Sequence, residues 1–383
     1  MSRSARRHWP LVAVLSTLAV LTVPANAADG SRRTSHGILV PIPASVRRLY
    51  PIGVGSREGP ATFGSRAAPA VTWSPAGTMP YPVAGAGGGV YSGGKVYVPG
   101  GLYSDTTLLG QMQIYDGTTW TVDDETMPYP EEAGTSGWYL GAVCADQAGK
   151  IHVLNGTLDG NSVSASHQVF DPSAPAGSRW SWGPPPVLPT LSAYFVSILS
   201  GCAYINGKLY LFGGLGYINY TPPPPEEWTP LAATWEYDPA TGVWSDTGMP
   251  MTTPRELHAY ANSGGFAYVA GGSADNLTYT PTVERFSPAS GWASLPDLPV
   301  ARYAFGMGVA GRMLLVWGGL DAAGQTLGST LRCRTGCASW TDINQNLATP
   351  RSWLAWASGG GKLYAAGGFD DVGTFLNSAE STP

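Results

Sequence analysis

Six stretches of the chain repeat one pattern of apolar and polar positions. Gly94–Gly101 reads GKVYVPGG, Gly149–Gly156 GKIHVLNG, Gly207–Gly214 GKLYLFGG, Gly265–Gly272 GFAYVAGG, Arg312–Gly319 RMLLVWGG and Gly361–Gly368 GKLYAAGG. Period-two alternation inside them predicts β-strands rather than helices. Each run ends on a glycine pair, with Asn155 replacing the first glycine of the second unit. The pair predicts a sharp turn with one position at φ > 0, a region that Asn also visits readily. The pairs begin at 100, 155, 213, 271, 318 and 367, at intervals of 55, 58, 58, 47 and 49. A period near 50 with four short apolar segments predicts propeller blades. The fourth unit displays all four strands: ELHAYAN, FAYVAGG, PTVERFSP and GWASL.

Two further markers recur. A tryptophan opens the predicted fourth strand at Trp120, Trp182, Trp244, Trp292 and Trp340, and the third strand often ends in an aromatic and Asp, as at Tyr115-Asp116, Phe170-Asp171 and Tyr237-Asp238. Together these features resemble kelch repeats, over about residues 70–383 in six units. The resemblance implies an all-β fold, a six-bladed kelch-type β-propeller. The sixth unit supplies a third strand in TFLNSAEST and then stops without a tryptophan, whereas Trp73 in AVTWSPAGTMPYP precedes the first unit. The strand near Trp73 is therefore expected to complete the last blade, closing the ring and removing an open edge.

Composition adds the surroundings. Fifty-one Gly, 33 Pro and only 12% charged residues fit many turns, and 14 Trp with 19 Tyr exclude a disordered chain. Residues 1–27 read as a signal peptide: three Arg, an apolar run from Leu11 to Val23, and Ala25-Asn26-Ala27 as the cleavage site. A secreted, extracellular protein cleaved after Ala27 is expected, with no membrane span in the mature chain. Residues 28–69 hold six Arg against two acids and no clear period, and are expected to be a basic flexible leader or linker. Residues 70–383 carry 12 Lys/Arg against 24 Asp/Glu. With no basic stripe, nucleic acid is excluded as a partner. Cys333 and Cys337, four apart around a Thr-Gly turn, are expected to form a local disulfide. Cys144 and Cys202 each lie 11 residues before their terminal pair. They occupy equivalent places in neighbouring repeats, and a bridge or two buried thiols both remain open.

The first strands of kelch rings line the axis, so the resemblance implies that convergent polar groups of a site lie there. Counting back 16 from each terminal pair gives Ala84, Tyr139, Ser197, Arg255, Arg302 and Arg351. Three arginines at one register suit an anion-recognition site, because the planar fork matches carboxylate or sulfate oxygens. The bland alternative is internal pairing with carboxylates and carbonyls. Glu256 and His258, two apart on one strand, are candidates for proton transfer. Loops after the glycine pairs hold Asp105, Asp159, Asp275, Asp321, Asp370 and Asp371, residues that also stabilise turns. Tyr139, Tyr303 and Trp228 add aromatic surface, Trp228 at the end of a long loop with four Pro. The remaining histidines do not converge as the copper site of the kelch-type copper radical oxidases requires, so no metal and no cofactor is expected.

The function expected from these residues is a secreted recognition module, a monomer binding a carbohydrate or protein partner at the loop-rich axial mouth. The alternative is a small-molecule enzyme with an axial pocket: a sugar epimerase or mutarotase, as the resemblance to exported kelch-type sialic-acid mutarotases allows, or a biosynthetic cyclase or lyase. The two differ in whether a concave axial pocket holds a proton-transfer group.

Overall fold

The computed structural model describes residues 71–383, except 105–106, 130–136, 139, 158–161, 189–192, 220–227, 276 and 335–337. Before residue 71 it describes only the short strands Trp9–Pro10, Arg32–Thr34, Gly37–Pro41 and Pro51–Ile52. The cleavage site and most of 28–69 lie outside the described residues.

The repeats form six antiparallel four-stranded blades. In order from the axis outwards, blade 1 holds Val90–Ser92, Lys95–Pro99, Gln111–Tyr115 and Trp120–Thr126. Blade 2 holds Ala142–Ala145, Ile151–Leu154, Ser162–Phe170 and Trp180–Trp182. Blade 3 is Gly201–Ile205, Lys208–Phe212, Thr234–Asp238 and Val243–Asp246, and blade 4 is Ala259–Ser263, Phe266–Ala270, Val283–Ser287 and Gly291–Leu295. Blade 5 is Gly306–Ala310, Met313–Trp317, Thr330–Arg334 and Thr341–Asp342. Blade 6 takes Ala355–Gly359, Lys362–Ala366 and Ser378–Ser381 from the end of the chain, and its outer strand, Ser74–Thr78, from before blade 1. Each innermost strand lies beside that of the next blade, and the sixth lies beside the first.

Alternating side chains on both blade faces are buried, as expected for sheets packed face to face. The result is six apolar clusters, one per seam. Cys144, Leu154, Leu211 and Trp235 fill the seam between blades 2 and 3, for example, and Trp73, Leu315, Trp317 and Leu363 that between 5 and 6. The outer tryptophans fasten these seams. The indole N–H of Trp73 donates to Thr330 Oγ1 at 2.9 Å, that of Trp120 to the Ala76 carbonyl, of Trp244 to Pro184, of Trp292 to Thr234 Oγ1 and of Trp340 to Pro296. Each bond runs from one blade back to the blade before it.

Both positions of every terminal pair adopt positive φ, not one: Gly271 and Gly272 stand at 63° and 88°, Asn155 and Gly156 at 55° and 90°. A Cβ on Gly271 would lie 2.3 Å from the Arg302 carbonyl, and one on Gly272 2.1 Å from that of Glu256. The pair is glycine because its backbone presses against two neighbours, one of them in the next blade.

Two expectations change. Part of the segment read as a flexible leader is paired: Gly37–Pro41 runs antiparallel along Ser162–Ser166, with Arg32–Thr34 beside it. The open question at Cys144 and Cys202 is answered by a disulfide joining the inner strands of blades 2 and 3, with Cα atoms 5.8 Å apart across a separation of 58 residues. Cys333 is also disulfide-bonded, and its expected partner Cys337 lies outside the described residues. Replacing both Cys144 and Cys202 by Ser should lower unfolding stability by about 2–4 kcal/mol, read as a lower denaturant midpoint. Reductant should add little further loss if that bridge dominates.

Candidate functional site

The ends of the second strands and the segments leading into the innermost strands share one face, here termed the crown. The N–H of the second residue in each terminal pair donates to a carbonyl of the next blade's leading segment. The bonds are Gly101 to Trp138, Gly156 to Ser197, Gly214 to Arg255, Gly272 to Arg302, Gly319 to Arg351 and Gly368 to Val83, at 2.7 to 3.2 Å. These six carbonyls define the true register. It contains Val83 and Trp138 rather than Ala84 and Tyr139, because loop lengths differ in the first two blades. Tyr139 itself lies outside the described residues.

Two residues further on, each leading segment turns through a left-handed residue: Gly85, Leu140, Leu199, Leu257, Ala304 and Trp353, with φ between 51° and 61°. Left-handed backbone is strained for bulky side chains. Here the strain is compensated by a belt of amide bonds around the axis. Gly85 donates to Trp353, Leu140 to Gly85, Leu199 to Leu140, Ala304 to Leu257 and Trp353 to Ala304, at 2.6 to 3.0 Å. Leu140, Leu257 and Trp353 also join an apolar plug that includes Leu215, Tyr303 and Trp228. The plug closes the axis on the crown side. Beneath it lies only a cavity of about 30 Å³, bordered by Gly141, Ser200 and His258.

The three arginines sit in register but do not surround an entrance, which corrects the expected anion site. Arg255, Arg302 and Arg351 are all buried. Each side chain folds back into its own blade, because the leading segment passes directly over the glycine turn and third strand. Arg255 donates to the Gly271 and Thr282 carbonyls and pairs with Glu284 at 2.5 Å. Arg351 does the same with Gly367, Ser378 and Glu380, the last at 2.8 Å. The carboxylates also accept from the chain crossing over from the preceding blade: Glu284 from the Thr252 and Thr253 amides, Glu380 from those of Ala348 and Thr349. The equivalent third-strand position is always the one facing the residue two before the terminal pair. It is Gln113 in blade 1, Gln168 in blade 2, Trp235 in blade 3 and Leu331 in blade 5. Arg302 therefore has no carboxylate at the place where its two counterparts find one. It donates to the Gly318 carbonyl and Ser329 Oγ, both at 3.2 Å. Burial draws its pKa down to about 10, against a smaller upward pull from Asp342 and Asp321.

The other candidates are separated rather than gathered. Glu256 and His258 were expected to face one side of a strand. Leu257 between them is left-handed, which breaks the alternation, and the innermost strand begins only at Ala259. His258 borders the small axial cavity with neither ring nitrogen hydrogen-bonded. Burial drives its pKa down to about 3, helped by Arg255. Glu256 lies instead on the side of Tyr279, whose phenol is raised by burial and further by that carboxylate. Tyr303 is buried and stacks on Tyr279 with ring centroids 3.8 Å apart. Trp228 is 7% exposed and belongs to the plug, so it offers no stacking plate. Among the described residues, no group of three His, Cys, Asp or Glu is placed to hold a metal ion.

The turn-stabilising role expected of the crown-loop aspartates is present in blades 4 to 6, and it has a consequence for the apolar residue that follows, which the sequence reading did not include. Asp275 Oδ1 accepts from the Leu277 and Thr278 amides, Asp321 Oδ1 from Ala323 and Gln325, and Asp370 Oδ1 from Val372 and Thr374. Each carboxylate fixes a turn that holds an apolar residue outwards: Leu277 is 79% exposed and Val372 64%. The spacing, Asp followed two residues later by Leu, Ala or Val, is present in all three loops. Asp105, Asp159 and the four-proline stretch lie outside the described residues.

No family model matches the chain. It is similar to Kelch-like protein terF of Aspergillus terreus, 32% identical over 180 residues that make up 44% of this chain and 38% of that protein. It is also similar to tRNA wybutosine-synthesizing protein 4 of Candida albicans, 30% identical over 146 residues, 37% of this chain and 20% of that protein. The six blades, their glycine turns and these similarities agree. The repeats are of kelch type. The chain spans less than half the length of either relative, and the matched part speaks for the propeller alone.

Within this kelch ring the Arg–Glu pairs belong to the framework. Glu284→Ala should destabilise by about 3–5 kcal/mol, since it strands a buried guanidinium. Arg302→Met should cost far less or nothing, and Leu331→Glu should raise the denaturant midpoint. The buried histidines set a second expectation. His258 and His167 both have folded-state pKa values drawn by burial to about 3, from the ordinary histidine value of about 6.5. Their neutral forms stabilise the fold fully above pH 6.5, and that contribution is lost as pH falls from there towards 3. The denaturant midpoint should decline over that window, and His258→Gln should make the decline shallower by about one proton's worth of slope.

Proposed function

We propose that this chain is an exported recognition module that engages a protein partner through the crown loops of blades 4 to 6. The observation that carries the reading is the pair of outward-held apolar tips, Leu277 and Val372, each fixed by its own aspartate and bordered by acid. Apolar residues held rigidly outwards suit a contact surface, since little ordering entropy is lost on binding. The charge of the crown supports a basic partner. Every Lys and Arg of residues 71–383 outside the three buried arginines belongs to the strands, their outer edges or the opposite face. Asp275 and Asp371 are exposed. The plug supports a surface contact over an axial reaction, because Glu256 and His258 share no pocket on the crown side. Two bonded disulfide cysteines in adjacent inner strands accord with an oxidising compartment.

Site-specific photo-crosslinkers at 277, at 372 and at the outer-edge residue Val243 test the reading in the secreting host. Discrete adducts are expected from 277 and 372 and none from 243. A Leu277→Asp/Val372→Asp variant with unchanged melting temperature should lose any complex so trapped. Adducts from all three sites alike, or from none, would overturn it.

A further inference from the structure

The axis is crossed in its middle by two side chains. The Tyr260 hydroxyl, from blade 4, lies 3.0 Å from the Gly87 carbonyl of blade 1 and 3.1 Å from that of Val143 in blade 2, and accepts from the Val143 amide at 2.8 Å. The Trp356 indole of blade 6 donates to the Tyr260 carbonyl at 3.0 Å. Beyond this brace, away from the crown, the axis opens into a second cavity of about 190 Å³, far larger than the one beneath the plug.

The lining of that cavity has a distinct chemistry. No Asp, Glu, Lys, Arg or His contributes to it among the described residues, yet its walls are mostly polar. The polarity comes largely from main chain. Innermost strands are sheet edges, so alternate residues turn their N–H and C=O to the axis. Val143 does so, since both its groups meet the Tyr260 hydroxyl, and the period of two then places those of Ala145 on the same side. The Tyr260 carbonyl meets Trp356, which places those of Asn262 there too. Among side chains, Trp356 brings its indole to the axis, whereas Asn262 and Ser358 border the cavity while bonding the Tyr204 carbonyl and the Val309 amide, and Tyr91 stacks on Tyr364 in the seam with blade 6.

We infer that this second cavity is a binding site for one neutral polyhydroxylated ring, a pyranose or cyclitol. Such a ligand presents donors and acceptors around its rim, which alternating edge amides and carbonyls match, and an apolar face that lies on Trp356. An ionised ligand would be desolvated with no counter-charge. A drug-sized molecule needs a larger pocket, so a single ring is the fit. The site uses none of the crown residues, and its failure leaves the crown reading untouched.

Saturation-transfer NMR on the mature chain tests the inference, with methyl glucopyranoside, methyl galactopyranoside, methyl mannopyranoside and myo-inositol as probes. At least one should give saturable transfer with a Kd of about 1 mM, as expected for so few atoms. Glucuronate and glucosamine should bind at least about tenfold more weakly. Asn262→Trp, at the exposed rim, should abolish transfer, while Val243→Asp leaves it unchanged. Absence of saturable transfer from all four neutral rings would mean a water-filled cavity only. Equal binding of the charged rings, or full binding by a folded Asn262→Trp protein, would equally overturn the assignment.

Discussion

Six amide hydrogen bonds hold the blades to one another, each from the second residue of a terminal pair to the carbonyl of the next leading segment. They require two consecutive residues with positive φ lying against a neighbour's backbone, and only glycine, or Asn at the first position, meets both conditions cheaply. Everything on the crown follows from that contact. It fixes the leading segments at constant height, so their left-handed residues form a belt and their side chains meet as a plug. It also sets the arginine side chains over their own glycine turns, where the carbonyls they bind are already in place.

The blades are not equal within this frame. Blades 4 and 6 tie the incoming crossover with an arginine and a glutamate that share bonds. Blade 1 uses Gln113, bonded both ways to the Tyr81 backbone, and in blade 2 Gln168 donates to the Pro128 carbonyl. Blade 5 keeps the arginine and replaces its partner with Leu331. A buried charge pair contributes little net stability over a well-packed apolar pair, but half a pair is costly. Arg302 shows how the half is tolerated: its fork is occupied by a carbonyl and a hydroxyl, and Phe305 lies about 6.0 Å below the guanidinium.

Much of this was legible in the chain itself. The glycine pairs, the period and the tryptophans reveal blades, and the lone Trp73 reveals which blade is shared between the two ends. The arginine register was visible too, but its meaning was not. Arg255 and Arg351 look identical to surface arginines until the third-strand position facing the second strand is aligned, and that alignment depends on pairing registers that loop lengths obscure. The separation of Glu256 from His258 was hidden for a different reason. Nothing in Leu257 announces a left-handed residue, because leucine adopts that conformation only when a belt of outside bonds imposes it. Gly85, at the same place in blade 1, was the single hint. The Asp turns were present as letters, and only the amide bonds show that their purpose is to hold Leu277 and Val372 outwards.

Tyr260 links three blades that are not all neighbours, and Trp356 ties a fourth to the same point. A ring joined only at its seams can dilate like an iris when any one seam loosens. A ring with a crossbar cannot, because widening at one sector must stretch a bond that spans the diameter. Fluctuations should then be pushed to the periphery, where outer strands fray singly while the hub keeps its diameter and so preserves the volume beside it.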